Sequence, residues 1–148
     1  IDPYMIYEAK LLKASCVLLI AALLDTDTIR EYKAACDELG LSALVEVHDE
    51  EEVQSALDAG SRMIGVNNRD LRTFRVDISN STRLRSLVPK EILFVAESGI
   101  RTEKDIQMLR QSGIDGVLIG EALMCSSDKV GMINQLKGVG ERGREWQK

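Results

Sequence analysis

Aromatic residues make up only 4% of this 148-residue chain while apolar residues make up 45%, so the core it can build is aliphatic, as in α/β interiors. The length is enough for one domain with a substantial core. Basic charge is also in short supply: 19 Lys and Arg stand against 24 Asp and Glu, giving a formal charge of −5. That balance argues against a nucleic-acid or anionic-membrane surface, because phosphate backbones are held mainly by Lys and Arg. Any phosphate bound here is expected as a single group in a pocket. Long hydrophobic runs are missing; the longest, Cys16 to Leu24, is about half of what spans a bilayer, and no basic segment introduces a cleavable signal. A cytoplasmic protein is expected.

Cysteine is sparse and scattered. Cys16, Cys36 and Cys125 are an odd set without a neighbouring ligand cluster, which suggests neither a disulfide framework nor a zinc site. They read as small buried hydrophobes in a reducing compartment. There is no Gly-x-Gly-x-x-Gly, P-loop, Cys-x-x-Cys or serine elbow, so no nucleotide, metal or organic cofactor is called for.

What the chain does contain is a recurring apolar run with a polar group at its end. Ala43–Val47, Met63–Asn67, Leu93–Gly99 and Gly116–Gly120 are each followed by a polar turn and a helical pattern, and Cys16–Ala22 precedes them as a first strand. Apolar runs between helices are what a buried parallel sheet requires, and its strand C-termini are where chemistry is placed. The helices announce themselves by their caps. Asp2-Pro3 opens the first, running toward Ser15. The Asp25–Thr28 stretch offers several caps for a second helix, with its apolar stripe at Ile29, Tyr32, Cys36 and Leu39 and its stop at Gly40. Asp49 caps a third, whose Val53, Ala56 and Leu57 point inward; a fourth spans about Ser79 to Leu87 after a longer connection through Phe74 and Val76. Long loops of this kind tend to be functional. Thr102 with Asp105 resembles a capping box, Gly120–Met124 reads as a short helical turn, and a last helix runs from about Asp128 to Leu136. Residues 1–137 therefore form one domain, and the glycine-rich, charged tail 138–148 is expected to be poorly ordered.

Five strands alternating with helices imply right-handed βα units on a parallel sheet. Either an open doubly wound sheet or five-eighths of a (β/α)8 barrel fits. In a doubly wound sheet only a few strand ends meet the crevice, whereas a barrel makes all of them converge. Glu46, Asn67, Glu97-Ser98 and Gly120 end four successive strands, which favours the partial barrel.

Glu46 shares a strand face with Leu44, and a carboxylate aimed into a sheet interior is costly unless it is paired or opens on a cavity. Glu97 raises the same question on another strand, and two carboxylates at one mouth can divide acid and base work. An ion pair with a nearby Arg or Lys is the structural alternative for each. Asn67 can orient a hydroxyl or carboxylate; Asn68 after it reads as a turn residue. Gly99 and Gly120 follow the last two strands, where barrels often hold a phosphate, though two ordinary turn glycines would look the same. Glu121 beside that site would repel an anion and is expected to point away. His48, the single histidine, follows Glu46 closely and reads more readily as a surface or supporting group than as a catalyst.

Taken together, Asp2–Ala9, Val17–Leu24, Leu44–His48, Ile64–Phe74, Ala96–Ile100 and Leu118–Met124 resemble the indole-3-glycerol-phosphate synthase family, over almost the whole chain. The resemblance implies a (β/α)8 barrel of tryptophan biosynthesis. Such an enzyme closes the pyrrole ring of 1-(2-carboxyphenylamino)-1-deoxyribulose 5-phosphate, releasing carbon dioxide and water. It further implies that Glu46, Asn67 and Glu97 are catalytic, that Ser98 and Leu118 contact substrate, and that Gly99, Gly120 and Glu121 lie on the phosphate side, where other members can have Ser in place of Glu121. Family members also carry a Glu and a Lys on the first strand and a Lys on the third. These have no counterpart here, since on this alignment the chain supplies the helix after strand three and strands four to eight. The expectation is an isolated chain with little or no synthase activity, whose unpaired sheet edges bind the missing N-terminal segment or a second copy.

Overall fold

The computed structural model describes residues 1–138; the expected tail, from 139 onward, lies outside the described residues. The elements run α1 (Pro3–Leu11), β1 (Cys16–Ile20), a 3-10 turn (Ala21–Leu23), α2 (Thr26–Glu38), β2 (Ser42–Val47), α3 (Glu50–Asp58) and β3 (Met63–Asn67). They continue with α4 (Ser79–Arg85), β4 (Leu93–Glu97), α5 (Glu103–Gln111), β5 (Gly116–Leu118), α6 (Glu121–Cys125) and α7 (Lys129–Leu136). Local chemistry starts most of the helices. Asp2, Asp25, Asp49 and Asp128 each accept a backbone N–H of the first turn, and Thr102 and Asp105 form a complete, reciprocal capping box. The first strand is shorter than expected: after Ile20 the chain curls into the 3-10 turn, which packs against β2 and α3.

All five strands are parallel and pair in sequence order, β1-β2-β3-β4-β5. A doubly wound sheet reverses its strand order at a switch point, and none occurs here. With right-handed crossovers, an unreversed order puts every connecting helix on one side of the sheet. Burial agrees. Val45, Val47, Ile64, Val66, Phe94 and Ala96 face the helices and are fully buried; the first five form the core with Ile29, Tyr32 and Cys36 of α2 and Val53 and Ala56 of α3, and Ala96 packs with Ile100 and with Leu109 of α5. The alternate residues face the other way: Leu18, Leu93 and Leu118 are 44%, 54% and 53% exposed. This is the wall of a partial (β/α) barrel, its outer face sealed and the middle of its inner face open. Among the described residues β1 and β5 each pair on one side only.

The cysteine expectation holds for one residue of three. Cys36 is buried, but Cys16 at the start of β1 and Cys125 at the end of α6 are exposed, and all three are free thiols. Neither exposed position faces the helix-covered core, which is why composition alone misplaced them.

Candidate functional site

The strand register brings Glu46 and Glu97 to one face. Glu46 pairs in register with Gly65 of β3, Gly65 with Val95 of β4, and Asn67 one step on with Glu97. Parallel partners in register project to the same side, so Glu46, Gly65, Asn67 and Glu97 all point inward at the strand C-termini. Both acids are buried, at 5% and 4% exposure. Burial first, then the negative charge of Glu46 and a hydrogen bond to it, push the Glu97 carboxyl up to about 7. Near neutrality, then, Glu97 keeps its proton for much of the time. Its Oε1 has no hydrogen-bond partner among the described residues. Asn67 Nδ2 lies 3.4 Å from Glu46 Oε1, at the long end for a hydrogen bond, and its Oδ1 accepts the Arg69 N–H at 3.0 Å.

Gly65 makes the acid pair sterically possible, and its role was not visible in the sequence. A β-carbon there would sit 2.0 Å from Glu97 Oε1 and 3.1 Å from Leu44 Cδ1. The signal was present only as a glycine interrupting an apolar strand, a mark of close approach by another group. Gly65→Ala is expected to displace the Glu97 carboxylate and to cost about 1–3 kcal/mol, as overpacking typically does. Urea denaturation of the two proteins checks this; equal midpoints would mean that the carboxylate moves aside freely.

Asn68 is more than a turn residue. It is 3% exposed, and its amide spends every group: Nδ2 donates to the carbonyls of Glu97 and Ser98 at 2.9 and 3.3 Å, while Oδ1 accepts from Ser81 N and Oγ at 3.1 and 2.8 Å. It thereby fastens the end of β4 to the start of α4. The β3–α4 loop beyond it is held by an antiparallel bridge between Arg69 and Val76 and by Asp70, whose Oδ1 accepts the N–H groups of Arg72 and Thr73.

On the other side of Glu97, a hollow of about 440 Å³ gathers Glu97, Ser98, Gly99, Leu118, Gly120 and Glu121. Ser98 and Gly99 both take left-handed φ, of 64° and 77°, and a β-carbon on Gly99 would strike Val76 Cγ1 at 2.1 Å, so only glycine fits there. Gly120 has open space where a side chain would be. Glu121 does not point idly away: Arg69 and Arg101 both donate to its carboxylate, at 2.6 and 2.7 Å. These two arginines belong to the rim and were not singled out from the sequence. Each follows a strand-end string by one or two residues, which was the available signal.

His48 lies on the far side of Glu46, with Nε2 3.4 Å from Glu46 Oε1 and Nδ1 3.0 Å from Glu52 Oε2. Among the described residues no cluster of three or more His, Cys, Asp or Glu is arranged to hold a metal, and no helix is long and apolar enough to cross a membrane.

Comparison with known proteins gives the fold and the family separately. Among solved structures, 3-hexulose-6-phosphate synthase from Salmonella typhimurium superposes with a TM-score of 0.74 at 20% identity, over 90% of this chain and 66% of that one. Thiamine phosphate pyrophosphorylase from Pyrococcus furiosus gives 0.71 at 21% identity, over 90% and 63%. At such identities the likeness speaks for the barrel fold alone. In sequence, proteins named indole-3-glycerol phosphate synthase from Ruminiclostridium cellulolyticum and Lachnoclostridium phytofermentans are 63% and 55% identical, over 93% and 94% of this chain. The chain spans about half the length of these curated relatives, 53% and 51%. The family model for indole-3-glycerol phosphate synthase matches residues 1–136, and the chain belongs to that family.

Proposed function

We propose that this chain provides the C-terminal part of an indole-3-glycerol-phosphate synthase active site, with Glu46, Asn67 and Glu97 as its catalytic groups. The observation that carries the reading is the buried Glu46–Glu97 pair at the strand ends, where burial and the charge of Glu46 push the Glu97 carboxyl up to about 7. Ring closure joins the anthranilate ring carbon that bears the carboxyl group to the ketone carbon of the substrate. Carbon dioxide is expelled, and the former carbonyl oxygen departs as water. The second half of that sequence needs an acid to protonate the departing hydroxyl and a base to take a proton. Glu97 supplies the first at neutral pH and Glu46 the second, a division that depends on unequal proton affinities. Asn67 orients the reacting groups beside Glu46.

The substrate phosphate belongs in the hollow bordered by Ser98, Gly99, Gly120 and Glu121, with Leu118 against the sugar or ring. Arg69 and Arg101, now paired with Glu121, are the cations within reach of it. No cofactor takes part in this scheme.

Completion of the barrel falls to an N-terminal segment like the remaining half of the relatives' length. Mixing this chain with that segment from the Ruminiclostridium relative is expected to yield turnover, followed by indole fluorescence, where the chain alone yields little or none. Glu46→Gln and Glu97→Gln should each reduce the rate of the mixture by about 10²–10⁴-fold. Unchanged turnover in either variant, or full activity of the isolated chain, would overturn the assignment. The exposed leucines of the inner face favour a second reading for the isolated chain, in which two copies cover one another; a sizing column showing a dimer that the added segment dissociates would establish it.

A further inference from the structure

The imidazole of His48 stands between two carboxylates. On one side Glu52 Oε2 receives both the His48 backbone N–H, at 2.7 Å, and faces Nδ1 at 3.0 Å. On the other, Nε2 is buried without a hydrogen-bond partner among the described residues, 3.4 Å from Glu46 Oε1. A bare nitrogen lone pair facing a carboxylate oxygen at that distance is repulsive, and a proton in the gap turns it into an attraction. Glu52 holds the ring at Nδ1, while Asn80 of α4 donates to the His48 carbonyl at 3.0 Å and Glu52 accepts the N–H, fixing the backbone that carries it. Glu52 itself is anchored: its N–H donates to Asp49, the cap of α3.

The two ends of this chain of groups differ in exposure. The Glu46 side chain is 6% exposed, whereas His48 and Glu52, at 18% and 19%, border an open groove of about 1100 Å³ between the β2–α3 and β3–α4 loops. The other charged groups near the ring are already engaged. Asp49 caps α3, Arg83 of α4 pairs with Glu50, and Arg69 pairs with Glu121. From β3 the neutral Asn67 reaches the same Glu46 oxygen.

We propose that His48 is a positioning residue that relays protons between the groove and Glu46, with Glu52 holding its ring. The inference rests on the proposed catalytic use of Glu46. In the relay, Nε2 takes from Glu46 the proton it gained as base while Nδ1 passes its own proton to Glu52, and Glu52 releases it to water in the groove. One proton enters and one leaves, and the imidazole ends with the charge it had at the start. Glu46 would then be reset between turnovers without opening the buried pair to solvent.

His48 is the only histidine in the sequence, so its ring nitrogens give unambiguous NMR signals in the chain as it is. With 15N-labelled protein, the His48 resonances are expected to move as Glu97 ionises near pH 7, and that step should vanish in both Glu46→Gln and Glu97→Gln. Glu52→Gln should shift Nδ1 chiefly. In the complemented enzyme, His48→Gln should lower kcat at least about tenfold with KM unchanged within about twofold, and alter the pH profile. Ring signals indifferent to Glu46→Gln in a protein with an unaltered denaturation midpoint would overturn the relay and leave His48 a structural cap. That result is distinct from failure of the catalytic reading, which would show as full turnover of Glu46→Gln in the complemented enzyme.

Discussion

As the pH rises from roughly 5 to roughly 8, this chain is expected to lose about 3 kcal/mol of folding stability through the ionisation of Glu97. In the unfolded chain this carboxyl ionises at its ordinary 4.5, and in the folded protein at about 7. Between those values the folded state holds the proton and the unfolded state has released it, so stability falls with increasing pH. The contribution is complete below 4.5 and is lost as the pH passes through about 7. The depressed carboxyls act in the opposite sense and in a separate window. Asp25 and Asp70 are held below the usual 3.8 by backbone N–H groups of Thr28 and Thr73, and Asp37 by the Arg62 guanidinium. Their stabilisation is present above 3.8 and disappears on acidification. Stability should therefore peak in mild acid. Urea denaturation across this range measures the slope, and Glu97→Gln should remove most of it. A slope that persists in the variant would place the titration elsewhere.

Asn68→Ala is expected to cost about 3 kcal/mol, more than a typical core truncation of similar size, because it strands several partners at once. Ser81 N–H and Oγ, both buried, lose their acceptor, and the Ser98 carbonyl loses its donor. Asn68→Asp keeps the acceptor and the shape but gives up both donated bonds, to Glu97 O and Ser98 O, and buries a charge. It should be no milder. If the knot positions Glu97 as the geometry indicates, both variants will also flatten the pH dependence described above. The check is denaturation at acid and neutral pH; loss of stability with an unchanged slope would confine Asn68 to fastening α4.

Much of the fold was legible because it is local. Asp2, Asp25, Asp49, Thr102 and Asp128 are caps in sequence and in structure, since a capping side chain reaches backbone groups only two or three residues away. The inward stripe of α2 was equally plain from its spacing. The end of β1 was not: Ala21 and Ala22 look like a continuing strand, but the register with β2 carries only as far as Ile20 opposite Glu46, beyond which the chain turns. Nor could composition separate the buried Cys36 from the exposed Cys16 and Cys125. In the site, Glu46, Asn67 and Glu97 could be named because they are polar residues at the ends of apolar strands. Asn68 was passed over because a buried hub and a turn asparagine look alike until their distant partners are known.

Read by itself, the chain settled the alternation of strands and helices, the helix starts and the set of polar residues that end the strands, all of which depend on neighbours within a turn or two. The family resemblance rests on the same strings. Only the tertiary structure decided the unreversed strand order that makes the sheet a barrel wall, the absence of a side chain at Gly65 that admits Glu97, and the unequal proton affinity of the acid pair. Those properties arise from burial and from charges brought together across strands. The free energy of a buried carboxyl is set by what lies within a few ångströms of it in space, whatever its distance along the chain.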